Sequence, residues 1–343
     1  MADTAAPTTS PTGATTSAAP KRRRSRLRRA LIVAGSILGG LVLVIGGLGA
    51  WFLYSPAPAE PELAASVEQH TITVDGLERT YTTVVPDDLP ADAPLVLAFH
   101  GSNADSAAMR TVAGYRFDEL AVERGFVMAY PDGYEQTWHG CRAETPYPAR
   151  IDDIDDVAFA EAIVGAAASD LGIDTSRVYA TGLSNGGHMA IRLGAERPDL
   201  ISGVAAFAAA QPAPANDTCE WSGEAVPTMF VLGTADPINP YEGGEAGTLA
   251  GSLGDVYSAE ESARVIAERN GVAGEPVVER TGDDVVRTAY GDDTDAAVVL
   301  YTVEDGGHVV PNPVYAQPRV MGATTAHLDG PLVAWEFFAA SER

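Results

Sequence analysis

Lysine is almost absent from this chain of 343 residues, with Lys21 as its single example. Arginine is also scarce beyond the front of the chain. Seven of the 22 cations lie in residues 21–29, and only 15 arginines follow, against 46 aspartates and glutamates. A region with a net charge of −31 is repelled by nucleic acid and by anionic lipid, so neither is expected as a partner. Cysteine occurs only at Cys141 and Cys219. None stands just after the apolar run near the N-terminus, which excludes a lipoprotein anchor. The acidic pairs Asp152-Asp153 and Asp155-Asp156 lack the D-x-D-x-D-G spacing of a calcium loop. They open a helix pattern, where acids suit the dipole, so Asp155 and Asp156 are assigned to capping and no metal is expected. There is no internal repeat. Residues 1–20 are Ala, Thr, Pro and Ser with almost no bulky apolar groups, which predicts disorder.

The cations and the apolar run lie side by side. Lys21-Arg-Arg-Arg-Ser-Arg-Leu-Arg-Arg29 is followed by 25 uncharged residues, Ala30 to Tyr54. At about 1.5 Å per residue that run crosses a hydrocarbon core of about 30 Å. Cations before it and none soon after it place the N-terminus in the cytoplasm and the rest outside. The competing reading is a cleaved signal peptide with Ala57-Pro-Ala59 as a processing site, but the run exceeds an ordinary h-region of about 7–15 residues. Segments are therefore expected at 1–29 (disordered basic cytoplasmic tail), 30–54 (transmembrane helix), 55–65 (proline-rich linker) and 66–343 (one catalytic domain). The linker is expected to be extended and to hold that domain off the bilayer.

Within the large segment, Val178-Tyr-Ala-Thr-Gly-Leu-Ser-Asn-Gly-Gly187 is a short apolar strand running into G-x-S-x-G. A serine on a tight strand-to-helix turn needs neighbours without side chains, so that its hydroxyl projects over the sheet edge. Such a nucleophile, Ser184, needs a base and an acid, which in this type of site follow in the order Ser, Asp, His. The run Pro227–Asp236 is a buried-strand pattern ending on an acid, and the strand Ala297–Val303 is followed by His308. Both lie just past the carboxyl ends of strands, where ligands meet open α/β sheets. The other histidine after Asp236, His327, is assigned to the surface or to capping the last helix. A further strand, Leu95–Phe99, opens into His100-Gly101-Ser102. The backbone N–H groups of Ser102 and Asn185 are the candidate oxyanion donors, with His100 bracing the loop.

The stretch from Leu95 to Phe338 resembles the polyhydroxybutyrate depolymerase and feruloyl esterase family of serine esterases. The matching pieces are Leu95-Val-Leu-Ala-Phe-His-Gly-Ser102, Tyr130-Pro-Asp-Gly-Tyr134, Thr137-Trp-His-Gly-Cys141, Ile154-Asp-Asp-Val-Ala-Phe159, Arg177–Gly187, Gly233–Gly244, Gly306-Gly-His308 and Val333–Phe338. The resemblance implies an α/β-hydrolase fold and the triad Ser184, Asp236 and His308. It also implies hydrolysis of an ester, such as a polyester oligomer or an acylated polysaccharide, without a cofactor. Two departures fall on the substrate side. Val310 stands where the family often has Trp, and Cys141 stands alone where it often has paired cysteines. No granule-binding module is appended, which argues against crystalline polyester. An envelope acyltransferase using the same triad, and a non-catalytic surface binding protein on this fold, are the competing functions. Sugar-acceptor products would reveal the first, and the intact triad counts against the second. Trp138 and Tyr241 lie in matched motifs beside the expected cleft and are candidate substrate contacts, with loop packing as the alternative.

Alternating strands and helices predict a mostly parallel sheet with helices on both faces. A leading hairpin is expected at 69–74 and 79–85 around Asp75-Gly76. Helices are expected at 107–123, 156–170, 186–196, 258–270 and 330–341, the fourth with a capping box at Ser258 and Glu261. Both cysteines lie beyond the apolar run, in an oxidising compartment if the topology holds, and in loops near the site. A Cys141–Cys219 disulfide pinning the Trp138 loop is therefore expected. The acyl group, the alcohol and the oligomeric state are not legible.

Overall fold

The computed structural model of the chain describes residues 21–248, 251–292 and 294–341, with scattered positions before residue 21. It contains two units, Met1–Phe52 and Leu53–Arg343. The disorder expected over residues 1–20 falls largely outside the described residues.

The first unit is a helix, α1 (Lys21–Leu53). Its stretch Arg28–Leu53 has a most apolar window of mean hydropathy 2.5 and is buried nowhere along that window. A helix that is apolar all round either sits in a large core or spans a membrane. By length and composition this one fits a membrane span or a leader sequence alike. The helix starts at Lys21, earlier than the boundary expected at residue 30. Arginine and lysine are good helix formers, and adding turns to an existing helix is cheaper than starting one.

In the second unit, β1 (Ala65–Val74) and β2 (Leu77–Pro86) form the expected hairpin, with Val74 opposite Leu77. Asp75 and Gly76 both have positive φ, 50° and 81°, the requirement of a two-residue primed turn. The remaining strands of the main sheet are β3 (Leu95–Phe99), β4 (Val127–Pro131), β5 (Val178–Leu183), β6 (Gly203–Phe207) and β7 (Thr228–Gly233), then β10 (Val277–Gly282), β11 (Val285–Tyr290) and β12 (Val298–Val303). Two short strands, β8 (Gly244–Thr248) and β9 (Gly251–Val256), pair separately. The ten-stranded order is β1-β2-β4-β3-β5-β6-β7-β12-β11-β10. From β4 to β12 every pairing is parallel, and each edge is an antiparallel hairpin. The β10–β11 edge is absent from the sequence reading because five of the six residues of β10 are exposed and that strand carries no apolar alternation.

The central strands are buried on both faces and so read as continuous apolar runs. Side chains alternate between two cores. Leu95, Leu97 and Phe99 share one core with Phe159 and Ile163 of α5 (Asp156–Leu171), Met189 and Leu193 of α6 (Asn185–Glu196), and Ile266 of α7 (Ala259–Arg269). Val96 and Ala98 share the other with Met109 of α2 (Ser106–Val112), Phe117 and Leu120 of α3 (Arg116–Arg124), and Trp335 and Phe338 of α8 (Gly330–Ala340). A single turn, α4 (Pro148–Ile151), precedes α5. The one helix expected over 107–123 is two, because Gly114 and Tyr115 adopt left-handed φ of 64° and 57° and end α2. The capping box on α7 is complete.

Residues 55–64 have no regular structure, yet they are not free of the domain. Ser55 Oγ donates to the Ala316 carbonyl, and Glu60 accepts from Arg110 at 2.5 Å.

Candidate active site

Parallel strands deliver the reacting groups to one edge of the sheet. β5 ends in Ser184, whose φ of 57° and ψ of −117° are strained for a residue with a side chain. The strain persists because the turn is closed on all sides. The Ser184 N–H donates to Phe207 O at 2.8 Å, and its carbonyl accepts from His188 at 3.0 Å. A Cβ on Gly182 would lie 2.4 Å from the Gly186 backbone, and one on Gly186 would lie 2.1 Å from Phe99 O. Only glycine fits at either position.

Past β12, the His308 ring is 2% exposed, and its Nδ1 lies 2.8 and 3.0 Å from the two oxygens of Asp236. Asp236, just past β7, also accepts from the Ile238 and Asn239 N–H groups at 2.8 and 2.9 Å. That carboxylate is therefore held as the acceptor, so His308 Nδ1 carries the proton and Nε2 is left with its lone pair. Ser184 and His308 line one cleft of about 300 Å³ together with Ser102, Met109, Leu183 and Ile238. Ser102 is on the cleft wall, and the Asn185 N–H is the first of α6, where no intrahelical acceptor exists. His100 is buried, which lowers its pKa and keeps it neutral. It donates from Nδ1 to Gly101 O at 2.7 Å and accepts the Gly133 N–H at Nε2 at 2.9 Å, bracing two loops.

Trp138 does not touch the cleft, contrary to its assignment as a substrate contact. It is fully buried, its Nε1 donates to His100 O at 2.8 Å, and its ring packs edge-on against Phe99. Its backbone N–H and C=O pair with the Asn185 side chain at 2.7 and 3.0 Å, so the residue fixes the turn after the nucleophile. Tyr241 likewise points away, with its hydroxyl 2.7 Å from Thr302 Oγ1. Val310, at the family's tryptophan position, is buried in the core. Asp155 caps α5 by accepting from Ala158. Asp156 does not cap: it is buried against Arg79 at 2.8 Å and takes the His139 N–H at 2.7 Å. Arg79 in turn lies over the Phe159 ring at 4.1 Å, a cation–π contact that holds the guanidinium beside its carboxylate partner. His327 is exposed and paired with Asp284. Cys141 and Cys219 are joined by a disulfide with Cα atoms 4.9 Å apart. Met109, Val112, Gln317 and Met321 complete the cleft, and they were not foreseen. They come from a helix and a loop distant in sequence, and only the positions of His308 and His100 hint at them.

The chain has the α/β-hydrolase fold, and the proteins it is similar to are carboxylic ester hydrolases. No family model matches the sequence. NocK of Nocardia uniformis subsp. tsuyamanensis, provisionally named an esterase, is 29% identical over 301 residues, 83% of this chain and 86% of that protein. Feruloyl esterase B of Piromyces equi is 27% identical over 224 residues, 63% of this chain and 39% of its own length. Among solved structures, the acetyl xylan esterase of Aspergillus awamori superposes with a TM-score of 0.55 at 15% identity, over 80% of this chain and 99% of that one.

Proposed function

We propose that the chain is a membrane-anchored, extracytoplasmic serine esterase with Ser184 as nucleophile, His308 as base and Asp236 as the orienting acid. The carrying observation is the strained Ser184 opening into the same cleft as a buried His308 whose Nδ1 is committed to Asp236. His308 Nε2 takes the Ser184 proton as Oγ attacks the ester carbonyl. The Ser102 and Asn185 N–H groups hold the oxyanion, and Asp236 stabilises the imidazolium. The tetrahedral adduct collapses to the acyl-enzyme, and the alcohol leaves with the proton from His308. Water, activated by the same imidazole, then repeats the sequence and releases the acid.

The cleft wall formed by Met109, Val112, Leu183, Ile238 and Met321 suits an apolar acyl group of modest length. Short acyl, hydroxyacyl and hydroxycinnamoyl esters are the substrate class, and the esterase names of the similar proteins support it. The apolar stretch of α1 that follows its seven cations supports an N-in anchor, with the acidic domain outside. A fluorophosphonate probe tests the mechanism. It is expected to label Ser184 alone, whereas labelling elsewhere, or full activity in a folded Ser184→Ala protein, rejects this reading. Protease added to intact cells tests the topology: the domain is expected to be digested and the basic tail protected.

A further inference from the structure

Between the disulfide and the reacting groups lies a cluster with no role in the chemistry above. The segment Trp138–Arg142 runs along α6. Asn185 holds Trp138, Arg192 Nη1 donates to His139 O at 2.8 Å, and Gly140 abuts His188, which a Cβ there would approach to 2.9 Å. Arg142 follows. Its backbone bridges to Asp217, and the Cys141–Cys219 disulfide pins it on both sides.

Arg142 is 1% exposed, and apart from the nearby Tyr147 hydroxyl none of its Nε, Nη1 and Nη2 atoms finds a hydrogen-bond partner among the described residues. His188, also 1% exposed, finds none there at either ring nitrogen. The other buried arginines are matched, Arg79 by Asp156 and Arg110 by Asp118. The Asp217 carboxylate is turned away to Trp221, Gln211 and Arg269. Burial lowers the Arg142 pKa to about 10, offset only by the Tyr147 hydroxyl, so the guanidinium stays charged at neutral pH. A charge kept from water without a counter-ion is strongly destabilising, and the planar fork of N–H donors matches an anion. The cluster also reaches the cleft. The Tyr147 hydroxyl donates to Ser102 Oγ at 3.4 Å, and burial, with the Arg142 charge nearby, holds the His188 pKa well below its ordinary value.

We propose that Arg142 and His188 form a buried site for one monovalent anion, a halide or a carboxylate. The carboxylate could come from solvent or from the substrate itself. The site does not depend on which residue is the nucleophile.

The wild-type protein tests it directly. Bromide titrated at constant ionic strength, with sulfate as the replaced salt, is expected to raise Tm by about 3–5 °C at saturation. Crystals grown in bromide are expected to show an anomalous peak against the Arg142 guanidinium. Arg142→Gln is expected to abolish both effects. A flat melting curve and an empty anomalous map overturn the proposal, and they do so even if the variant fails to fold. Kinetics then separate the sources. If the anion belongs to the substrate, bromide competes with p-nitrophenyl hemisuccinate, and Arg142→Gln raises its KM at least ten-fold relative to p-nitrophenyl butyrate. If the anion is resident, bromide and the substitution act equally on the two esters.

Discussion

Two histidine–aspartate pairs in this protein share one geometry and little else. In each, Nδ1 lies 2.8 Å from a carboxylate oxygen: His308 with Asp236, and His327 with Asp284. The first pair is 2% exposed at both partners, while the second is 52% and 33% exposed. In water-rich surroundings an ion pair contributes little, and Asp284 simply raises the pKa of its exposed histidine. Lining the same cleft as Ser184, the buried contact sets the tautomer of His308 and leaves the lone pair on Nε2. A histidine–carboxylate contact is therefore no sign of function by itself. Burial and the third partner decide.

Replacing each histidine is the sharpest way to break that contrast. His308→Ala is expected to lower kcat by about five to six orders of magnitude, because triad members act as a unit. His327→Ala is expected to change esterase turnover less than two-fold, and the reverse result would reassign the base. Asp236→Asn keeps the shape but offers the imidazole the wrong partner, and is expected to cost about four orders of magnitude in kcat. Asp284→Asn is expected to leave kcat as it is, and only the His327 titration seen by NMR should move, downward.

Smaller effects distinguish the supports of the site from its chemistry. Replacing both Cys141 and Cys219 by Ser opens a loop with a sequence separation of 78. The loss is expected to be at most about 4–4.5 kcal/mol on the loop-entropy model, a drop in Tm of roughly 10 °C. Two free thiols in the denatured, unreduced wild type would show that no bridge forms. Finally, burial lowers the pKa of His100 and His188, so both are neutral when folded and charge more readily when unfolded. The unfolded state then binds more protons, and stability is expected to fall as pH drops below the ordinary histidine value of about 6.5. His100→Asn should flatten that acid limb in denaturant titrations from pH 7 to 5, whereas His327→Asn should not. The exposed His327 works in the opposite sense, since its folded pKa is raised.

Much of the site was legible because its constraints are local. Gly182 marks a turn that closes on its own backbone at Gly186 and admits no side chain, although the clash that requires Gly186 comes from Phe99 of a neighbouring strand. Likewise Asp75-Gly76 prescribes a hairpin, and Ser258 with Glu261 a helix start. The apolar runs of β3, β5 and β7 announce strands buried on both faces, and the order of Ser184, Asp236 and His308 follows from their ends. Less legible was anything that depends on which element packs over which. Trp138 reads the same whether it meets a substrate or props the nucleophile turn, and only its bond to His100 O separates the two. Asp156 reads as a helix-opening acid until Arg79, 77 positions earlier in the chain, is placed beside it. The β10 edge has no apolar period because five of its six residues are exposed. Local geometry is written in neighbouring residues. The burial of a polar group, and hence its charge and its use, is decided by partners far away in the chain.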